Sequence, residues 1–184
     1  MGKIIYLFMK VGGDMEIEFI EKKAQEVIKE YSLNEFPIDP VKIALKIGIP
    51  VRDVQFKNID RDSICGGITK EKEAVQIYVN KHDPINRKRF TIAHELGHYF
   101  LGHLENKGEY VDLHRDINSG NKTDESEANS FAAALLMEKE KVEQSFNTLK
   151  KAGFSEGNII WELSKLFAVS TSAMSLRLQK LRLI

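Results

Sequence analysis

The run His94-Glu95-Leu96-Gly97-His98 restricts this chain more than any other feature. Two imidazoles four residues apart act together only on a helix, where such positions lie about 40° apart around the axis and one turn along it. So placed, both can converge on one tetrahedral ion. Glu95, beside the first histidine, can reach a water held by that ion without occupying a ligand position. Zinc lowers the pKa of such a water towards about 7, and the carboxylate removes its proton as the oxygen attacks a carbonyl. The competing reading is a helix with two structural histidines, because a chain with five histidines can produce this spacing by composition alone. Context favours the metal: residues 87–101 read as a helix, and the apolar strand 75–80 precedes it.

A catalytic zinc site needs a third protein ligand and an open fourth position. A third histidine six residues past the second, after a glycine, is ruled out, because Leu104 and Leu101 occupy those places. His103 falls one residue early and is expected to be solvated near the helix end. The other route is a carboxylate on a following helix, which starts near Thr123 or Asp124 and runs to Met137; Asp124, Glu125 and Glu127 are its candidates. On that helix Ala128, Phe131, Ala132, Leu135 and Leu136 mark the buried face, and Glu125 lies nearer its centre than Glu127. Either acid has an alternative use as a surface charge favouring a helix N-terminus. Glu125 is favoured, with Glu127 left open.

Around this centre the chain reads as alternating small elements. Residues 16–31 carry Ile17, Ile20, Ala24, Val27, Ile28 and Tyr31 at spacings of three and four, an amphipathic helix. Asp39 can cap a short helix with Pro40 at its first position, ending at Gly48. Residues 49–56 alternate as a strand, and Gly66-Gly67-Ile68 opens a hairpin whose second strand, 75–80, is weighed as either an edge able to pair with an extended substrate or a core strand. Residues 102–122 read as a long irregular connection, and loops of that length are often functional. An oxyanion donor is sought among Tyr99, Tyr110 and His114, with His114 preferred; His82 is expected to stand apart from the site. Ser155 and Ser170 can cap two last helices separated by a break at Ala168-Val169. This pair resembles a helix-turn-helix, with Arg177, Lys180 and Arg182 as charges, although residues 170–175 offer few base-reading side chains.

Composition narrows the partners. Twenty-seven Lys and Arg balance twenty-seven Asp and Glu, so no global field draws the protein to nucleic acid or membranes. Cys65 is the one cysteine, which excludes an internal disulfide and cysteine-based zinc clusters, and next to Gly66-Gly67 it reads as a small residue before a turn. No apolar run is long enough to span a bilayer, so a cytoplasmic location is the expectation. Residues 1–15 are expected to be an extension or to reflect an alternative start at Met9 or Met15. The core domain is expected over 16–150 and a helical segment over 151–184.

Several blocks together resemble the ImmA/IrrE family of zinc metallopeptidases: Ile77-Tyr78-Val79-Asn80, then Arg89-Phe90-Thr91-Ile92-Ala93-His94-Glu95-Leu96-Gly97-His98-Tyr99-Phe100-Leu101, then Glu125-Ser126-Glu127-Ala128-Asn129 through Met137, and finally Leu166 to Ser170 with Ala173-Met174 and Arg177-Leu178. The resemblance implies an α+β, compact zincin-like (gluzincin-type) fold with a small antiparallel or mixed sheet and a C-terminal helix-turn-helix-like appendage. It implies His94 and His98 as zinc ligands, Glu95 as catalytic acid and base, and Glu125 as third ligand. Glu138 stands where the family usually has proline, a change at a helix end. The resemblance also implies an endopeptidase that cleaves a specific partner, such as a helix-turn-helix repressor of a phage or mobile element encoded nearby. The rival expectation is a DNA- or partner-binding regulator, including a toxin–antitoxin-like partner, with a non-catalytic zinc.

Overall fold

A computed structural model of the protein describes residues 13–31, 35–55, 66–105, 109–113 and 122–184. The chain folds as an α+β unit in which a mixed sheet lies against a layer of helices. In chain order the elements are α1 (Gly13–Tyr31), α2 (Pro40–Lys46), β1 (Val51–Val54), β2 (Gly66–Glu71), β3 (Ala74–Asn80), α3 (Ile85–Phe100), β4 (Glu109–Leu113), α4 (Lys122–Leu136), α5 (Lys139–Lys151), α6 (Glu156–Leu166) and α7 (Thr171–Lys180). No helix among the described residues is long and apolar enough to cross a membrane.

The sheet runs in the order β1-β3-β2-β4. β1 is parallel to β3, with Val51 opposite Ile77, while β2 is antiparallel to both β3 and β4. The strand 75–80 therefore has hydrogen-bonded neighbours on both sides. Its alternative as a substrate-pairing edge is overturned, and the described sheet ends at β1 and β4 instead. β4 itself falls in the stretch expected to be irregular. Five residues with two acids and no apolar run carry little strand signal, and the open side of β2 supplies the pairing, with Ile68 in register with Asp112 and Lys70 with Tyr110.

Local signals start and stop the helices as expected at several points. The Asp39 carboxylate accepts a hydrogen bond from the backbone N–H of Val41 at 3.0 Å, with Pro40 opening α2. Ser170 Oγ accepts from Ala173 N–H at 3.1 Å and opens α7. Helix α5 has no counterpart in the sequence reading. Its apolar stripe is only Val142, Phe146 and Leu149 on an otherwise charged segment, and burial of Val142 and Phe146 fixes it.

One hydrophobic cluster unites the elements. Ile20, Ala24, Val27 and Ile28 of α1, Ile68 and Ile77 of the sheet, Ile92 and Leu96 of α3, and Phe131 and Leu135 of α4 belong to it. So do Leu163, Phe167, Met174 and Leu178 from the C-terminal helices. Polar ties reinforce it. Arg177, nearly fully buried, donates to the carbonyl of Met137 at 3.0 Å and pairs through two nitrogens with the Glu21 carboxylate. Arg89 donates to the carbonyls of Ile38 at 2.7 Å and Ala168 at 3.2 Å, and burial of its guanidinium pushes its pKa down.

Two glycines set how closely the layers approach. A Cβ on Gly66 would fall 2.4 Å from the carbonyl oxygen of Tyr78 and 2.5 Å from a Thr91 methyl, so the sheet meets α3 only because that position is bare. A Cβ on Gly97 would lie 3.0 Å from the Cα and carbonyl oxygen of Ala128 on α4. Gly97→Val is therefore expected to push α3 and α4 apart and to lower stability by about 1–3 kcal/mol, read as a fall in the urea midpoint of the metal-free protein.

Candidate metal centre

The close α3–α4 contact determines which side chains meet. α3 carries His94 and His98 on one side, and α4 runs past them carrying Glu125 and, one turn later, Asn129. His94 Nε2 lies 3.0 Å from His98 Nε2. The Glu125 carboxylate is 3.4 Å from each of them, through Oε2 to His94 and Oε1 to His98. These are the three residues, among those described, whose donor atoms group closely enough to hold a metal ion. Both imidazoles are buried, and Glu95, the residue between them in the motif, is fully enclosed.

Hydrogen bonds behind the rings select a tautomer for each. Asn129 Oδ1 lies 3.0 Å from His94 Nδ1 and accepts its proton, which leaves Nε2 with a lone pair. On the other ring a longer chain does the same. Glu127 Oε2 accepts from His103 Nε2 at 2.9 Å, so His103 Nδ1 is free to accept from His98 Nδ1 at 2.9 Å. His98 Nε2 then also presents a lone pair. Two lone pairs and a carboxylate pointing at one place repel one another, and a cation among them reverses that sign. Bonds of about 2.0–2.1 Å in a tetrahedron place neighbouring donors about 3.3–3.4 Å apart; both Glu125 distances match this, and the two Nε2 atoms at 3.0 Å stand slightly closer. The residues present thus fit a divalent ion.

His103 corrects the expectation of a solvated side chain. It is 7% exposed and takes part in the site through His98. The cause is the way α3 ends. Gly102 adopts φ 78°, its N–H donates to the carbonyl of Tyr99, and the N–H of His103 donates to that of His98 at 3.0 Å. These bonds form a Schellman turn, which folds the chain back so that His103 faces the last turn of its own helix. The signal was available in the sequence as a glycine just past the helix, followed by a polar residue. Glu127, the alternative third ligand, is instead the acceptor at the far end of this chain of bonds. Asn129 was quoted in the sequence only as part of a block, and its hydrogen bond to His94 gives it a part in the site.

The remaining candidates separate by position. Tyr99 lies on α3 and is 37% exposed, its ring against Phe100 at 5.3 Å between centroids. His82 is exposed in the turn after β3, and its N–H donates to the Asn80 side chain at 3.1 Å. His114, the side chain of Tyr110, and Cys65 lie outside the described residues.

Partners that hold a ligand ring raise its basicity and fix its angle, and their loss typically weakens metal binding by about 10–100-fold. His103→Ala is accordingly expected to weaken binding of a divalent ion at this cluster by that factor with little change in fold. Zinc titration against a competing chelator, with circular dichroism as the control, measures it.

Comparison with protein families gives one match. The model of the IrrE N-terminal-like domain, Peptidase M78, fits residues 44–179, a span that contains the sheet, both site helices and α5 to most of α7. Among curated proteins no relative matches the chain. The extent of the family match, together with a His–His–Glu cluster able to hold a metal, establishes that the chain belongs to the Peptidase M78 family of metallopeptidases.

Proposed function

We propose that this protein is a zinc-dependent endopeptidase in which His94, His98 and Glu125 hold the ion and Glu95 is the general acid and base. The observation that carries the reading is the convergence of two imidazole Nε2 atoms and one carboxylate from two separate helices. When bound, the ion supplies Lewis-acid polarisation of the scissile carbonyl and acidifies water at its open position. Glu95 takes the proton from the attacking water and returns it to the departing amine nitrogen, so one carboxylate serves both halves of the reaction. Asn129 and the His103–Glu127 pair keep the two imidazoles in the tautomer that leaves Nε2 bare.

His114 is the proposed oxyanion donor. Its support is its place in the chain, directly after β4 and within the connection that leads to the helix bearing Glu125. The proposed substrate is a specific partner protein, of which a helix-turn-helix repressor of a phage or mobile element encoded nearby is the leading example. The family resemblance supports that choice. The proposed location is the cytoplasm, where such a partner acts.

Purified protein is expected to carry about one zinc per chain. In co-expression with the neighbouring repressor, Glu95→Gln should keep its zinc and lose cleavage by at least about a hundredfold, whereas His98→Ala should lose both. Normal cleavage by Glu95→Gln rules out the assigned mechanism, and a stable uncleaved complex with wild-type protein favours a binding regulator. His114→Ala should keep zinc and lower kcat by about 100-fold.

A further inference from the structure

A cavity of about 640 Å³ lies between α3, α4 and the C-terminal helices, and two of its lining residues, Phe90 and Asn129, contact His94. Its size falls within the range of ligand-binding clefts, about 300–1,000 Å³. Phe90, Ala133, Met137, Val169, Ala173 and Leu176 give it apolar walls. Met137 and Val169 are buried, whereas Leu176 at the rim is 61% exposed. Arg87 and Lys180 also line it, and among the described residues no acidic side chain does.

The cavity continues the metal centre on both site helices. Phe90 precedes His94 by four residues on α3, and Asn129 follows Glu125 by four on α4. Phe90 and Asn129 thus each sit about one turn, roughly 6 Å along the axis, from a residue of the His–His–Glu cluster and on the same side of its helix. The Phe90 and His94 rings lie 6.5 Å apart, and Asn129 both lines the cavity and accepts from His94. An extended peptide advances about 3.3 Å per residue. A side chain one or two residues from a carbonyl held at the His–His–Glu cluster therefore has the reach to enter a cavity walled by Phe90.

We propose that this cavity is a specificity pocket for a large apolar side chain, such as leucine, methionine or phenylalanine, of the peptide being cut, and that α7 forms one of its walls. The inference rests on the peptidase reading above. It gives the C-terminal helices a part in substrate choice: Val169, at the turn between α6 and α7, lies in the floor, while Ala173 and Leu176 of α7 form the wall and rim. The small side chains of Ala133 and Ala173 leave the space open, so enlarging either should fill it. Both are partly exposed, so the added carbons project into the cavity rather than into the sealed core.

The test is binding of a peptide hydroxamate series to the zinc-loaded full chain by isothermal titration calorimetry. The compounds carry a methyl, isobutyl or benzyl group next to the chelating end. Isobutyl or benzyl is expected to bind about tenfold or more tightly than methyl. Ala133→Leu and Ala173→Leu should each compress that ratio towards one while zinc affinity and thermal midpoint hold, and two variants guard against one that folds poorly. Zinc-dependent binding with no side-chain preference overturns the pocket and leaves the peptidase reading standing. A preference that both filled variants retain also overturns it. If no hydroxamate binds the zinc-loaded protein, the peptidase reading and the pocket fall together.

Discussion

The separation of α3 and α4 decides whether the His–His–Glu cluster can form at all. At Gly97 the backbone of one helix approaches Ala128 of the other closely enough that a methyl group would already press on the neighbouring main chain. That approach lets a carboxylate on α4 stand 3.4 Å from two imidazoles on α3. Phe131, Ala132 and Leu135 hold the contact on the α4 side and Ala93 and Leu96 on the other, all fully buried. The glycine lowers helix propensity by about 1 kcal/mol relative to alanine, a local cost offset by the packing it permits.

Polar groups in such an interior need partners, and here the partners also orient the site. Asn129 faces one imidazole, and His103 with Glu127 faces the other. Each arrangement leaves the ring with its bare nitrogen directed at the other ring. The Schellman turn after α3 is thus both a helix terminator and the device that brings His103 to its place. A turn of backbone geometry and a metal-binding geometry are coupled through two hydrogen bonds.

The C-terminal helices belong to the same hydrophobic cluster as the site helices, through Leu163, Phe167, Met174 and Leu178. Arg177 fastens α7 to α1 and to the end of α4, and Arg89 fastens the α6–α7 turn to the segment before α2. These ties anchor the helices that line the cavity to the rest of the core. The inner faces of these helices are buried in that cluster, so the cavity walls they carry yield little.

The amino-acid order alone determined the helix that carries His94, Glu95 and His98 and the side on which its two histidines lie. Helical spacing is a local property, so a five-residue motif carries it. It also reached Glu125 over Glu127, since the apolar stripe of Ala128, Ala132 and Leu136 fixes which side of α4 turns inward. Strand β4 and the central place of β3 were out of reach, because strand pairing joins residues far apart in sequence and short polar strands show no periodic signature. His103, Glu127 and Asn129 as supports for the rings, and the cavity beside them, were decided by the tertiary structure. Their roles depend on distances between elements, and those distances are set by packing at positions such as Gly97 and Gly66, which no local pattern encodes.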